Sequence, residues 1–186
     1  MAEFKYPFME KVLKRYASYV IQQAKANLTK DGKGGGDLYN SLTSKSGENK
    51  EELFVQFFME NYGQFVDKGV KGKNPSKVSI NAKIRGQQAP NSPFKFGSGN
   101  YSGTWDTYVK SIESWAKKKN VRFRNSKGQY AKGNYKSLAY IISNNIYNRG
   151  LKPTLFFSKP FDAGLDKFSN NLLMAFVSDT QNNVGI

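Results

Sequence analysis

Between residues 51 and 69 a dense apolar run gives way to one turn of helix and a glycine. Leu53, Val55, Phe57 and Met59 fall on one side of a period-two alternation, and Phe54 and Phe58 on the other. That pattern predicts a strand with apolar residues on both faces, central in a sheet or covered. Asn61 is placed to cap a short helix in which Tyr62, Phe65 and Val66 share a face, and Gly69 to supply its left-handed stop. Upstream, Met9, Leu13, Tyr16, Val20, Ala24 and Leu28 lie on one helical stripe, with Pro7 in the first turn, which predicts a helix over 7–28. Residues 29–36 contain four glycines and read as a loop, without the lysine-serine context of a phosphate-cradling turn. Leu38, Asn40 and Leu42 alternate with Tyr39, Ser41 and Thr43, predicting a modest strand that pairs with the first one through a turn at 46–50.

Beyond Gly69 the pattern fades. Glycine, proline, asparagine and lysine dominate residues 70–103, where Val78, Ile80 and Ile84 hint at a short strand. So long a segment without regular structure points to a functional or partner-ordered arm. Phe94 and Phe96 inside it are either anchors for a partner or packed back on their own domain. Thr104 then caps a helix with Trp105, Tyr108, Val109, Ile112, Trp115 and Ala116 on one face and Lys117 to Lys119 at its end. Val121 and Phe123 alternate with Arg122 and Arg124 ahead of a turn, predicting a basic hairpin-like excursion over 121–133. A helix over 135–149 carries Leu138, Ile141, Ile142 and Ile146 and ends at Gly150 and Pro153. A last helix opens at Ser158 with Pro160 and keeps Phe161, Leu165, Phe168, Leu172 and Phe176 in helical spacing, followed by a polar, peripheral tail after Val177. The expected fold is α+β: one domain over 1–186, a small antiparallel sheet flanked by about four helices, and the long basic loop 70–103.

Composition narrows the chemistry. The 186 residues include no cysteine and no histidine, which removes disulfides, thiolate nucleophiles, His-ligated metals and His-based proton transfer. No segment approaches the roughly 20 apolar residues of a membrane span, and no long apolar run follows a basic N-terminal region, so a soluble protein made inside a cell is expected. The formal charge of +15 is uneven. Residues 1–67 hold 9 basic and 9 acidic side chains, whereas residues 68–161 hold 19 basic ones against Asp106 and Glu113 alone. Such a stretch is suited to a nucleic-acid backbone or an acidic protein surface. Arg122 and Arg124 interleaved with Phe123 and Tyr130 fit a surface that neutralises phosphates and stacks bases.

Three segments carry a family resemblance. A glycine-rich lead into Asp37-Leu38-Tyr39-Asn40-Ser41-Leu42, then Tyr62-Gly63-Gln64-Phe65-Val66-Asp67-Lys68-Gly69, then Lys152-Pro153-Thr154-Leu155-Phe156-Phe157 ahead of a closing helix, together resemble the tail-completion or neck proteins of tailed bacteriophages. In that family the corresponding elements run "TG-L--S", "YA-YVE-G" and "RPF"; here Gly36-Asp37 stands for Thr-Gly, Asp67 for Glu and Lys152 for Arg. The resemblance implies that Leu38, Ser41, Tyr62, Phe65, Val66, Asp67, Gly69, Pro153 and Phe156 are structural motif residues. It also implies a non-enzymatic virion component of the neck or tail region, assembled in the host cytoplasm without cofactor, metal or membrane. Its expected partners are further copies of itself in a six- or twelve-fold ring, the portal-side connector and the tail proteins, with packaged DNA in the channel as a further candidate.

For such a ring, Lys71, Lys73, Lys77, Lys83, Arg85, Phe94, Phe96, Arg122 and Arg124 are the candidate contacts to a neighbouring subunit or partner. The second class of reading is a basic nucleic-acid-binding module of phage or bacterial origin, which shares the charge pattern but shows no helix-turn-helix, zinc-finger or RNP-like signature. Catalysis is not expected: Asp106, Glu113 and Asp162 sit at helix starts or on helical faces, where dipole and solvation roles account for them.

Overall fold

The computed structural model describes residues 5–48, 52–99, 103–125 and 127–185. The fold is α+β, with elements in the order α1 (Pro7–Lys30), α2 (Asp37–Ser41), β1 (Thr43–Glu48), β2 (Leu53–Phe58), α3 (Gly63–Lys68), β3 (Val70–Lys71), α4 (Trp105–Lys118), α5 (Tyr135–Arg149), β4 (Gly150–Leu151) and α6 (Ser158–Val184). Strands β1 and β2 form one antiparallel pair and β3 and β4 another. The chain divides into two compact units: Met1–Asp67 with Thr154–Ile186, and Lys68–Pro153 between them in sequence.

In the first unit α1 packs along α6 and against the β1–β2 pair. Leu28, Leu38, Leu42 and Phe156 are buried together with Ala24, and Val66, Met59, Tyr39 and Phe157 close over them. Tyr16 of α1 meets Phe57, Phe161 and Phe168 edge-on at 5.9 to 6.1 Å. A Cβ on Gly164 of α6 would lie 2.8 Å from the Tyr16 ring, so only glycine lets that ring settle on the helix.

Both long helices begin without a capping side chain of their own. At α1, Pro7 removes one orphan donor, and the carboxylate of Asp179 accepts the N–H groups of Phe8 at 3.0 Å and Met9 at 2.8 Å. At α6, the carboxylate of Asp67 accepts the N–H groups of Phe157 at 2.8 Å and Ser158 at 3.1 Å, and also the Ser158 hydroxyl. Asp179 is fully buried and Asp67 nearly so. The segment after Val177, expected as a peripheral polar tail, is therefore the continuation of α6 that holds the start of α1. Asn183 adds to this by exchanging two hydrogen bonds with the backbone of Lys5.

Two further expectations are corrected. Residues 37–41 form α2 and not a strand: Leu38 and Leu42, four apart, satisfy a helical period as well as a twofold one, and both are buried while Asn40 stays exposed. The strand therefore starts at Thr43, and Ser46 to Glu48, expected in the turn, are its second half; Asn49 and Lys50 lie outside the described residues. Strand β2 pairs with β1 alone among the described strands, so it is not central. Phe57 is covered by aromatic rings, whereas Phe58 is exposed.

In the second unit α4 packs on α5, where Ala116, Ala139 and Ser143 are fully buried. Thr104 and Thr107 exchange reciprocal capping bonds at the start of α4. Gly69 has φ +70°, and a Cβ there would come within 2.5 Å of the Leu151 carbonyl oxygen and 2.7 Å of Pro153 N. Replacing Asp179 by alanine is expected to cost about 2 kcal/mol, the scale of losing charge-assisted bonds to buried helix-start donors; equilibrium denaturation measures it, and an unchanged midpoint would contradict the cap. Gly69→Val is expected to destabilise by more than about 1 kcal/mol, since it adds backbone strain to a steric clash, read as a lowered melting temperature.

Candidate functional site

The second unit holds the charge. Lys68–Pro153 contains 18 basic and 2 acidic side chains, net +16, while the remainder contains 11 basic and 12 acidic ones, net −1. Its two carboxylates are taken up along α4, Asp106 by Lys110 and Glu113 by Lys117, each at 2.7 Å. Such exposed pairs contribute little to stability, but they leave the other cations of the unit without an acidic partner in it.

The arm 70–103, expected as a functional or partner-ordered segment, has tethers within its own unit along its described residues. The last turn of α5 leaves carbonyls without helical partners, and the arm supplies donors: Lys73 N to Tyr147 O at 2.9 Å, Asn74 N to Asn148 O at 3.2 Å and Gln88 N to Arg149 O at 2.9 Å. Gln87 imitates a strand neighbour, exchanging two bonds with the backbone of Gly72. Ser92 donates to Gly69 O at 2.7 Å and accepts from Phe94 N. Val78 and Ala89 are buried, but no strand forms around Val78, and Ile80 is 80% exposed. The segment is irregular yet tethered at intervals.

The sequence-predicted contact residues divide into two groups. In the arm, Lys73, Lys77, Lys83 and Arg85 are exposed, while Lys71 is half-buried with its backbone bonded to Phe94 and Phe96. Phe94 is half-buried, and the Phe96 ring packs back, 5.5 Å from Tyr147 and 6.3 Å from Tyr108. Trp105 joins the same cluster, edge-on to Tyr147 at 5.4 Å and Tyr140 at 6.1 Å, and Lys73 Nζ lies 5.6 Å from the Tyr147 ring. The second group is the excursion 121–133, where Arg124 bridges to Tyr130 in an antiparallel pair. The Arg124 guanidinium stands 4.6 Å from the centre of the Tyr130 ring, and that of Arg122 5.7 Å. Tyr130 is 59% exposed, so both cations sit at the surface.

The motif residues converge elsewhere. Leu38, Val66 and Phe156, one from each segment, meet in a single cluster. Ser41 Oγ accepts from Glu60 N just ahead of α3, and Tyr62 starts that helix by accepting from Phe65 N and Val66 N. Thr154 donates both its N–H and its hydroxyl to Val66 O, and Leu155, at φ +52°, donates to Asp67 O, which turns the following Phe156 inward. Phe65 and Pro153 are half-buried. Sequence reasoning missed Asp179, although its place on the period of Phe168, Leu172 and Ala175 marks an acid on a buried face.

Among the described residues no cluster of three or more His, Cys, Asp or Glu side chains could hold a metal, and no helix is long and apolar enough to cross a membrane. No family model matches the chain, and neither a curated protein nor a solved structure matches it.

Burial raises the Tyr108 hydroxyl to about 12, partly offset by the Arg149 guanidinium, and raises Tyr16 to about 12 with help from the Asp162 carboxylate. The unfolded chain releases these protons near 10. Their contribution to stability is therefore fully present below about pH 10 and is lost as pH rises towards about 12, because the folded state holds protons that the unfolded state has lost. In an ultraviolet titration of the 11 tyrosines these two are expected to ionise last, and Tyr108→Phe to flatten the alkaline loss of stability; a titration complete by about pH 10.5 would contradict the burial.

Proposed function

We propose that the protein is a non-enzymatic structural subunit of a neck or tail-completion ring, seated between a portal-side connector and a tail. The observation that carries this reading is the meeting of Leu38, Val66 and Phe156 in one cluster, with Asp67 capping the helix that follows the third motif. Residues quoted for a family resemblance from three distant segments thus serve one junction. A closed ring needs two different surfaces on each subunit. The outward side of α6, with Leu173, Met174, Val177 and Val184 exposed, offers an apolar one, and the exposed arm cations offer a charged one. A second reading, a nucleic-acid-binding module, is favoured by the confinement of the excess charge to Lys68–Pro153.

Imaging of intact particles tests the ring directly, with six- or twelve-fold density at the neck expected; its absence from purified particles would end the reading. The triple variant Lys73→Glu, Lys77→Glu, Lys83→Glu reverses exposed charges while leaving the arm's backbone bonds in place. It is expected to fold with an unchanged circular dichroism spectrum and to assemble poorly, most of all at low salt, because such charges steer encounter. Wild-type assembly by this variant would remove the arm from the contact.

A further inference from the structure

The excursion 121–133 has Val121 and Phe123 half-buried, whereas Arg122, Arg124, Tyr130 and Lys132 are exposed. It leaves α4 at Asn120, whose φ of +50° turns the chain away, and Asn125 builds its tip by accepting from Lys127 N and Gln129 N through one side-chain oxygen. Across this short bridge the two arginines and Tyr130 are held in one arrangement. Arg124 Nη1 donates to Gly128 O at 2.8 Å and its Nη2 to the Tyr130 hydroxyl, while Arg122, among the described residues, donates through its Nε alone, to Asn120 Oδ1 at 2.9 Å. The paired Nη groups of Arg122 therefore remain as a fork, already oriented, at an exposed position. Such a fork matches two oxygens of a phosphate, and fixing it beforehand lowers the entropy lost on binding.

We infer that this excursion is a nucleic-acid contact site, in which Arg122 and Arg124 take backbone phosphates and the exposed Tyr130 ring packs against sugar or base. It rests on the second reading of the basic unit and is independent of the ring. The partner is a phosphodiester chain and not an acidic protein because of how the charge is arranged. From Glu113 to Asp162 no acidic residue intervenes, and Lys127 and Lys132 flank the arginines, both exposed. Beside the cations the exposed Tyr130 ring adds a face on which a base or sugar stacks, which the carboxylates of an acidic protein do not use. A surface of one sign only fits a polymer that repeats one charge and releases its counterions on contact.

The test is fluorescence anisotropy of the full chain with a labelled 20-base-pair duplex and a labelled oligothymidylate, each titrated from low to moderate salt, with polyglutamate as the acidic-protein probe. Binding is expected to weaken steeply with salt, and Arg122→Glu with Arg124→Glu to lower affinity at least about tenfold and the logarithmic salt slope by about 2. A matched double change in the near-neutral unit, Lys33→Glu with Lys45→Glu, alters net charge equally and is expected to leave the slope unchanged. Tyr130→Leu keeps every charge and is expected to weaken the oligothymidylate more than the duplex. Equal effects of the two double variants would overturn the site, since binding would then follow net charge alone. Polyglutamate bound as tightly as nucleic acid would overturn the partner. A ring that assembles normally while nucleic acid is not bound would overturn this inference and leave the ring reading standing.

Discussion

A helix start buried in a protein exposes backbone N–H groups that must find acceptors, and in the first unit two carboxylates from distant positions provide them. Asp179 serves α1 and Asp67 serves α6. Neither helix has its own capping side chain, so each depends on the fold to begin. The carboxylates depend on the helices in return, because a buried negative charge is tolerated only with strong donors and a favourable dipole around it. The far end of α1 closes the circuit: Asn27 Nδ2 donates to the Phe156 carbonyl, just ahead of α6. At 1.5 Å per residue, Phe8 to Asn27 and Ser158 to Asp179 both span about 30 Å. This agreement sets the two helices antiparallel and in register, with aromatic rings between them, so the polar ends fix what the apolar seam alone would leave free to slide.

The second unit solves the opposite problem. There the carbonyl end of α5 needs donors, and the irregular arm delivers them one residue at a time. This is why a segment with so little secondary structure still has a defined course: its backbone pairs with a helix end, with Gln87 and with Ser92 in place of a ladder. Being irregular, it can hold a chain rich in glycine and lysine that neither helix nor sheet would favour. Lys73, Lys77, Lys83 and Lys95 stay exposed because the tethers use the backbone and the side chains of Gln87 and Ser92.

The local signals in the sequence were sufficient wherever one period dominated. Helix α5 covers the expected 135–149 and stops at Gly150, and α4 starts after Thr104. Residues 37–42 misled because two leucines four apart fit both periods and the intervening asparagine carries no preference strong enough to decide. The continuation of α6 was hidden by polarity: Ser178, Asp179, Thr180 and Gln181 look like a tail, and only burial of one of them against α1 makes them helix. A side chain whose partner lies 170 residues away in sequence has no local signature. The same limit applied to the arm, whose acceptors on α5 lie beyond any window that a periodicity can scan. The arginine pair and Tyr130 were both visible in the sequence, but their contact was not, since cation and ring meet only once the hairpin closes.

Charge and fold are separable in this chain, and that bears on what the basic unit is for. Among the described residues no hydrogen bond that shapes the arm uses a lysine ammonium, and the apolar contacts of α4 and α5 use alanine, valine, leucine and aromatic rings. The exposed lysines of the arm therefore add mutual repulsion to a segment whose hydrogen bonds do not use their ammonium groups. A surface that lowers the stability of its own domain is retained where something else neutralises it, and any polyanion that binds only the folded state returns that stability on binding. The +16 lies on one unit, and the unit of the capped helix pair is near neutral by itself. The exposed Leu173, Met174, Val177 and Val184 of α6 belong to the near-neutral unit, so an apolar contact there and a charged one on the basic unit use different residues.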